Sequence, residues 1–304
     1  MSERQTLTYI TNRFEQAGIA PQTRFGQNFL IDLNLVELIA KSAQLGPKDV
    51  VLEVGTGLGS LTKIMAAKAG HVVTCEIDDH VSKLAADEFA TLGNVTLLHL
   101  DALKSKSKFD PRVISTLHEK MAMIPGAKLK LVANLPYNVA TPIISNFLDV
   151  EPWPTRITVT IQKELAERIT AEPRTKDYSA LSIWIQSQAK AEIVRIMPPS
   201  VFWPRPKVDS AILDIRPQKV LRDRLADREF FHDFVRSLFL HRRKLLRGTM
   251  VSACKPTLDK PQVDALIEEL KLPADCRAEQ LSIEEMIELT AAVQAAMRRA
   301  EKRS

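Results

Sequence analysis

Four consecutive residues, Asn134-Leu135-Pro136-Tyr137, could grip a flat, hydrogen-bonding ligand. They follow an apolar run at residues 131–133 that is typical of a buried parallel strand. In open α/β sheets, ligands bind beyond the carboxyl ends of such strands. An asparagine carbonyl can accept a hydrogen bond from an exocyclic amine, and a tyrosine ring can stack on a base. Because Pro136 restricts Leu135 to extended geometry, the Leu135 carbonyl has little freedom. The stretch therefore predicts a site that methylates the amino group of an adenine.

A glycine-rich turn follows an earlier strand-like run and precedes an apolar helix. Its glycines, Gly55, Gly57 and Gly59, are spaced G-x-G-x-G rather than the G-x-G-x-x-G of dinucleotide enzymes. Such a turn alone is weak evidence, because glycines also serve purely structural turns. Glu76, at the end of the next strand, strengthens the case, since a carboxylate there can bind both hydroxyls of a ribose. Together these residues predict a site for an adenosine-containing cofactor.

Asp101 ends the third strand-like run and has two interpretations. Its carboxylate could accept from the amino group of the cofactor's adenine, or it could cap the next segment. On its own the second interpretation is better. The succession of Gly55, Glu76 and Asp101 at successive strand ends favours the first.

Residues 202–210 (FWPRPKVDS) precede the last strand-like run. Two prolines hold this backbone extended, so it could present Phe202 rigidly. We expect Phe202 to supply a second aromatic face opposite Tyr137, and Trp203 to pack in the core. The alternative is that Phe202 is also a packing residue. Lys207 could contact a phosphate or be simply solvated.

The apolar runs alternate with helical stretches, which indicates an α/β fold with a doubly wound parallel sheet. We predict strands at residues 50–54, 72–77, 95–100, 129–133, 157–161, 193–197 and 211–215. Residues 104–128 are polar and poorly periodic, and we assign them no elements. After Pro217 the pattern becomes helical, with Phe231, Phe234 and Leu238 on one face. We therefore predict two domains, residues 1–217 and a small all-helical domain at residues 218–304.

Positive charge is concentrated in residues 216–250, which hold ten Lys and Arg against four Asp and Glu, although the net charge of the whole chain is only +5. A polyanion would meet this segment first. The alternative is a solvated helical face, which is what most charge runs are. The candidates for contact with nucleic acid are Arg242, Arg243, Lys244 and Arg247.

Composition excludes several other classes of protein. The sequence has no apolar run long enough to span a membrane, and residues 1–16 lack the apolar core of a secretory signal. Its three cysteines are too scattered for a disulfide framework, and its histidines lack metal-ligand spacing, so we expect no metal site. The expected location is the cytoplasm.

The chain resembles the ribosomal RNA adenine dimethyltransferases, and most closely the small-subunit branch of that family. The resemblance covers nearly the whole chain. It is carried by residues 25–30 (FGQNFL), 53–59 (EVGTGLG), 76–78 (EID), 101–102 (DA), 134–137 (NLPY), 202–210, 242–244 (RRK) and 277–282 (RAEQLS). It implies a class I, Rossmann-like S-adenosylmethionine-dependent methyltransferase domain followed by a helical domain that docks on ribosomal RNA.

The resemblance also implies residue roles. S-adenosylmethionine would be bound by Asn28, Leu30, Gly55, Glu76, Asp101 and Asn134, with Gln27 and Gly57 as neighbours. Asn134, Leu135, Tyr137 and Phe202 would act on the target adenine. The substrate would be small-subunit rRNA near its 3′ end, within a pre-assembled subunit, and we expect a monomer. The sequence departs from the family at Ser179, where glycine is usual, and at Gly248, where asparagine is frequent.

Three alternatives stay open. A large-subunit enzyme that confers antibiotic resistance is disfavoured by the long tail carrying residues 242–244 and 277–282. A non-catalytic assembly factor is disfavoured by the intact Asn134, Tyr137 and Glu76. A dehydrogenase is disfavoured by the glycine spacing.

Overall fold

The computed structural model describes residues 7–302, so the first six residues of the N-terminal segment, where we expected no secretory signal, lie outside it. The strands described are β1 (Phe29–Leu30), β2 (Asp49–Val54), β3 (His71–Glu76), β4 (Val95–His99), β5 (Leu103–Ser105), β6 (Lys108–Phe109), β7 (Lys128–Asn134), β8 (Arg156–Gln162), β9 (Ala189–Met197), β10 (Phe202–Trp203) and β11 (Ser210–Pro217).

The helices described are α1 (Leu7–Gln16), α2 (Leu33–Ser42), α3 (Ser60–Ala66), α4 (Asp79–Phe89), α5 (Pro111–Ala122), α6 (Ala140–Phe147), α7 (Lys163–Ile169), α8 (Ala180–Gln186), α9 (Lys219–Arg222), α10 (Arg228–Phe239), α11 (Leu246–Ala253), α12 (Lys260–Glu269) and α13 (Ile283–Glu301). Among them, none is both long and apolar enough to cross a membrane.

A seven-stranded sheet organises the fold, in the order β4-β3-β2-β7-β8-β11-β9. The five strands from β4 to β8 in that order are parallel neighbours, whereas β11 runs antiparallel to β8. All seven predicted runs are strands of this sheet, which confirms the expected α/β class. Side chains such as Val51, Leu131 and Ile157 are fully buried, as expected for strands covered on both faces.

Residues 104–128, which the sequence did not resolve, form part of a short hairpin and a helix. Strands β5 and β6 pair antiparallel, and α5 follows. The side chain of Asp110 caps α5 by accepting from the amide of Arg112 at 2.8 Å, with Pro111 in the first turn. Only Val113 and Leu117 of this helix are buried, so its apolar face is too narrow to give a clear helical pattern.

Helix α1 packs onto the elements around β2 through both apolar and charged contacts. Ile10 and Phe14 form a buried cluster with Leu58 and Val81. Tyr9 donates to Glu88 of α4, which also receives a hydrogen bond from Lys63 of α3. The N-terminal helix is therefore fixed to the turn that follows β2 and to the two helices after it.

The chain forms two compact units. The first comprises residues 1–166 and 192–217, and the second comprises residues 167–191 and 218–304, so far as these are described. We expected the second unit to begin at residue 218, but it also includes residues 167–191. The reason is packing within that unit: Trp184 of α8 lies 4.5 Å, ring centre to ring centre, from His232 of α10, and Tyr178 lies edge-on to Phe239.

The two departures from the family pattern are both accommodated in the second unit. Ser179 has an extended backbone (φ −153°) and caps α8 reciprocally with Ser182, so no glycine is needed there. Gly248 lies on the exposed side of α11 with nothing within 4 Å of where a side chain would begin.

Candidate functional site

A cavity of about 360 Å³ opens at the carboxyl ends of the central strands of the first unit. This volume is in the range of small-molecule sites, and the position is the one that open α/β sheets use for ligands. The cavity brings together ten of the eleven residues that the sequence predicted for cofactor binding and catalysis: Gln27, Asn28, Leu30, Gly55, Gly57, Glu76, Asp101, Asn134, Leu135 and Tyr137.

The glycine turn lies between β2 and α3 and forms one wall. Gly55, Gly57 and Gly59 all have positive φ angles, 85°, 55° and 79°, which glycine adopts without strain. Gly59 is the N-cap of α3 and supplies no side-chain cap.

Glu53 is buried directly behind this turn, and the sequence gave it no definite role. Its Oε2 accepts hydrogen bonds from the hydroxyls of Thr62 at 2.6 Å and Thr74 at 2.7 Å, and Thr74 also pairs with Thr56. Burial raises the pKa of Glu53 to about 8. The side chain is therefore largely protonated at neutral pH and serves to hold the turn.

Glu76 lies at the end of β3, where the sequence predicted it. Its two carboxylate oxygens accept from the backbone amides of Gly57 at 3.1 Å and Asp78 at 3.0 Å. Burial raises the pKa of Glu76, and these two hydrogen bonds oppose that shift. The carboxylate is thus fixed at the cavity wall, with lone pairs remaining for a ligand.

Asp101 makes the local contact of the capping interpretation, while its contact with the cofactor's adenine stays a prediction. It lines the cavity, and its Oδ1 also accepts from the amide of Leu103 at 2.9 Å. Its side chain is exposed, unlike that of Glu76. The apolar residues Ile77, Leu100 and Ala102 line the cavity beside it.

Asn134, the last residue of β7, and Tyr137, in the loop that follows, lie at the other side of the cavity. The side-chain Nδ2 of Asn134 donates to the backbone carbonyl of Asn28 at 2.8 Å. The hydroxyl of Tyr137 pairs with that of Ser210 at 2.6 Å, and burial raises the pKa of Tyr137. The backbone amide of Leu135 donates to the carbonyl of Thr160 on β8 at 3.1 Å. These contacts fix the loop to two neighbouring strands.

Phe202 is the predicted site residue that the structure does not bring to the cavity. It pairs with Leu30 in the β1–β10 ladder and is only 3% exposed, within a cluster that includes Val36 and Ile212. The pair of rings that we expected on either side of a base is therefore not assembled. Burial of a large aromatic surface favours the core position over the cavity.

Residues to which the sequence gave no role in ligand binding also line the cavity, among them Ile10, Arg24, Phe25 and Phe29. The guanidinium of Arg24 lies over the ring of Phe25, 4.5 Å from its centre. Phe25 belongs to the FGQNFL motif, so its position beside Gln27 and Asn28 was the available signal. Ile10 could not be found this way, because its helix is distant in sequence from the glycine turn.

The predicted nucleic-acid contacts differ in how they are held. Arg242 is bound to Glu279 and to the carbonyls of Thr175 and Lys176, and Arg247 makes a two-pronged contact with Asp264. Arg243 and Lys244 are exposed, as is Lys207 in the first unit. In residues 7–302, no cluster of three or more His, Cys, Asp and Glu side chains is arranged to hold a metal ion.

Sequence comparison decides the family. The profile of the family described as ribosomal RNA adenine dimethylase matches residues 20–294. The chain belongs to the ribosomal RNA adenine dimethylase family. Two similar relatives in the family are both named ribosomal RNA small subunit methyltransferase A. One, from Ligilactobacillus salivarius, is 37% identical over 280 residues that cover 92% of each chain. The other, from Clostridium botulinum (strain Loch Maree), is 38% identical over 281 residues that cover 92% of this chain and 96% of that one.

Solved structures confirm the fold of this dimethylase family member. A dimethyladenosine transferase from Plasmodium falciparum superposes with a TM-score of 0.72 at 22% identity, covering 87% of this chain and 97% of that one. The 23S rRNA methyltransferase ErmE superposes with a TM-score of 0.61 at 23% identity, covering 88% and 100%. The first unit thus has the class I methyltransferase fold. Membership of the family, together with the relatives named above, makes the chain an rRNA adenine dimethyltransferase.

Proposed function

We propose that this enzyme methylates N6 of two adjacent adenines near the 3′ end of small-subunit rRNA, giving N6,N6-dimethyladenosine. The observation that carries the proposal is the convergence of Asn134, Tyr137 and Glu76 on one cavity in a chain of this family. The names of the relatives support the small subunit as substrate. Acting on ribosomal RNA, the enzyme would work in the cytoplasm.

The cavity fits S-adenosylmethionine at the end nearest β3. The fixed carboxylate of Glu76 is suited to ribose hydroxyls, and the apolar residues Ile77 and Leu100 beside the acceptor Asp101 are suited to an adenine. Gln27, Asn28, Leu30, Gly55, Gly57 and Asn134 would complete this set. The bound cofactor supplies an electrophilic methyl group on its sulfonium.

The other side of the cavity prepares the adenine amine. The lone pair of N6 is delocalised into the ring, which makes the free amine a poor nucleophile. Hydrogen bonds from N6–H to Asn134 Oδ1 and to the Leu135 carbonyl would favour a pyramidal nitrogen with a localised lone pair. Such contacts accelerate the reaction because they strengthen toward the transition state. The methylated product is acidic, so its proton can pass to water.

One aromatic face of the base is provided by Tyr137, whose hydroxyl is fixed by Ser210. Because Phe202 is buried in the core, the second face must come from another cavity residue, and Phe25 is the aromatic neighbour of the cofactor-binding motif. The target adenine must leave its stack to enter, at a cost of about a few kcal/mol. Docking on the RNA would rest on the second unit's exposed cations Arg243 and Lys244, with Arg242 and Arg247 close to them in sequence, and separately on Lys207 of the first unit. We propose that the enzyme acts as a monomer on a pre-assembled small subunit.

The proposal is tested with small ribosomal subunits that lack the modification. They are incubated with the enzyme and S-adenosylmethionine labelled in its methyl group, and the modified nucleotides are mapped. We expect label on N6 of two adjacent adenines near the 3′ end. Label on the large subunit instead, in a parallel incubation, would favour the resistance-type activity, and binding without label would favour a purely structural assembly factor.

The cofactor is tested separately by thermal shift. S-adenosylmethionine should raise the unfolding midpoint, because a ligand that binds only the folded state stabilises it. The matched control is NAD, which should have no effect. Stabilisation by NAD alone would contradict the cofactor assignment.

A further inference from the structure

Residues 26–28, here called the bridge segment, connect the two sides of the cavity. At one end, the side-chain Nε2 of Gln27 donates to Asp78 Oδ2 at 3.0 Å, and the amide of Asp78 in turn donates to Glu76. At the other end, the backbone carbonyl of Asn28 accepts from Asn134. The bridge segment therefore contacts Asp78, a neighbour of the proposed ribose-binding acid Glu76, and Asn134, the proposed acceptor for the amine.

The partner of Asn134 determines how its side chain is oriented. A backbone carbonyl can only accept hydrogen bonds, so the atom that faces Asn28 at 2.8 Å must be the amide nitrogen Nδ2. The carbonyl Oδ1 is then turned away from Asn28. It is the only part of this side chain that can accept from an amine, so its direction decides whether the proposed chemistry is possible.

Gly26 allows the bridge segment to lie close to the loop that carries the active asparagine. It has a φ of +66°, and a Cβ atom there would lie 3.1 Å from Asn138 Oδ1, 3.5 Å from Pro136 Cβ and 3.6 Å from the amide nitrogen of Tyr137. The carbonyl of Gly26 also accepts from the side chain of Asn28 at 3.2 Å. A side chain at this position would strain the backbone and would require the Asn138 side chain to shift, whereas its distances to Pro136 and Tyr137 are ordinary van der Waals contacts.

We propose that Gly26 is a positioning residue for methyl transfer. By letting the bridge segment pack against residues 136–138, it places the Asn28 carbonyl so that Asn134 presents Oδ1 to the target amine. The inference rests on the proposed function and adds to it a residue that lines the cavity and acts through Asn28 and Asn134. It predicts a larger loss in the rate of the chemical step than in cofactor affinity.

The test compares three variants in single-turnover methyl transfer to unmodified small subunits. Gly26→Ala should lower the rate about 10- to 100-fold, because small misplacements of reacting groups have effects of this order. Its affinity for S-adenosylmethionine should fall by a smaller factor than the rate, because Gln27 and Asn28 of the bridge segment also belong to the proposed cofactor-binding set. Gly18→Ala is the matched control, since Gly18 has the same backbone conformation (φ +65°) but nothing within 4 Å, and it should keep the wild-type rate.

A double variant tests the packing contact itself. Asn138→Ala removes the atom nearest to the added methyl group, so Gly26→Ala combined with Asn138→Ala should regain most of the rate that Gly26→Ala lost, measured against Asn138→Ala alone. A variant impaired only by misfolding would show no such recovery. Wild-type activity in Gly26→Ala, equal losses in Gly18→Ala, or a loss of cofactor affinity that accounts for the lost rate would each overturn the inference.

A measurement on the unmodified protein keeps the inference testable if Gly26→Ala does not fold. In an ¹⁵N NMR spectrum, the Asn134 side-chain amide, assigned by its absence in Asn134→Ala, should show one proton held in a hydrogen bond and protected from exchange. An unprotected, freely exchanging amide would overturn the proposed orientation. Failure of the wild type to methylate any subunit would instead refute the proposed function, and this inference with it.

Discussion

Two acids of the cavity, Glu53 and Glu76, and two cations of the second unit, Arg243 and Lys244, are held in opposite ways. Glu53 and Glu76 are 1% and 5% exposed, and all their observed partners are hydroxyls or backbone amides. Arg243 and Lys244 are exposed, and no ion pair is seen for either in residues 7–302. The first arrangement fixes geometry through burial, whereas the second leaves charge available to a partner.

This difference indicates that the cavity suits the alignment of reacting groups, whereas the second unit suits contact with phosphates. Burying a hydrogen-bonded acid costs free energy, but it fixes the position of the side chain. A fixed side chain suits the alignment of a small cofactor and an amine. Exposed cations contribute little to folding and interact with phosphates over a distance set by salt. Substitutions in the two regions should therefore fail in different assays.

The largest effect should come from the cavity. We expect Asn134→Ala to lower methyl transfer about 10²- to 10³-fold, because it removes an acceptor that acts in the transition state. Binding to the small subunit should stay within about threefold, measured by filter binding. Asn146→Ala is the control, because its amide also donates to a backbone carbonyl but lies outside the cavity. Methyl transfer by Asn134→Ala at the wild-type rate would contradict the catalytic role proposed for the cavity.

Stability should depend on pH through Glu53. Its pKa is about 8 when folded, against 4.5 in a model peptide, so between these values the folded state keeps a proton that the unfolded state releases. The contribution of Glu53 to the free energy of unfolding is therefore fully present below about pH 5. As pH rises toward about 8, this contribution is lost, and the free energy of unfolding falls by up to several kcal/mol. Glu53→Gln should remove that dependence. Urea midpoints at three pH values for both proteins check this, and parallel pH profiles would contradict it.

A smaller effect, confined to binding, should follow from the second unit. Replacing Arg243 and Lys244 together with Ala should weaken small-subunit binding about tenfold at moderate salt. It should also lower the slope of log affinity against log salt by roughly 1.5. Unfolding temperature should not change.

Arg242→Ala is the informative counterpart, because that side chain is already bound to Glu279 and two backbone carbonyls. We expect Arg242→Ala to lower the unfolding temperature clearly and to lower the slope of log affinity against log salt only slightly. An equal loss of slope in both variants would show that the distinction between bound and exposed cations does not hold.

The smallest effect concerns Gly248. It lies within α11, exposed and with open space around it, so Gly248→Ala should stabilise the fold by roughly 0.5–1 kcal/mol through the lower entropy of the unfolded chain. Calorimetry should show a rise of a few degrees in the unfolding midpoint. A fall in the unfolding midpoint would mean that Gly248 has a role that its position in α11 does not explain.

Local patterns were sufficient for the sheet and for most of the site. The five central strands of the sheet, β3, β2, β7, β8 and β11, are buried on both faces, which makes their apolar runs continuous in sequence. The polar residues at the ends of the parallel strands then had to meet at one edge. Asn134, Glu76 and Asp101 were predictable for that reason. The family profile agrees, although it does not by itself test the role of each residue.

Non-local contacts account for what was missed. An aromatic residue beside prolines suits a cavity or a core equally well, and only the pairing of Phe202 with Leu30, far apart in sequence, decides between them. Residues 167–191 join the second unit through Trp184 and His232, a contact with no sequence signature. Residues 104–128 were missed because their helix buries little.

Helix α1 is important for the cavity because Ile10 lies in it, although the helix is distant in sequence from every motif. Because Ile10 lines the cavity and α1 is tied to Glu88, trimming by a protease after Gln16 would remove part of the wall around the cofactor. A sample nicked there would keep its motifs and most of its mass, yet bind its methyl donor poorly. Intact mass should therefore be verified before any weak activity is attributed to a substitution.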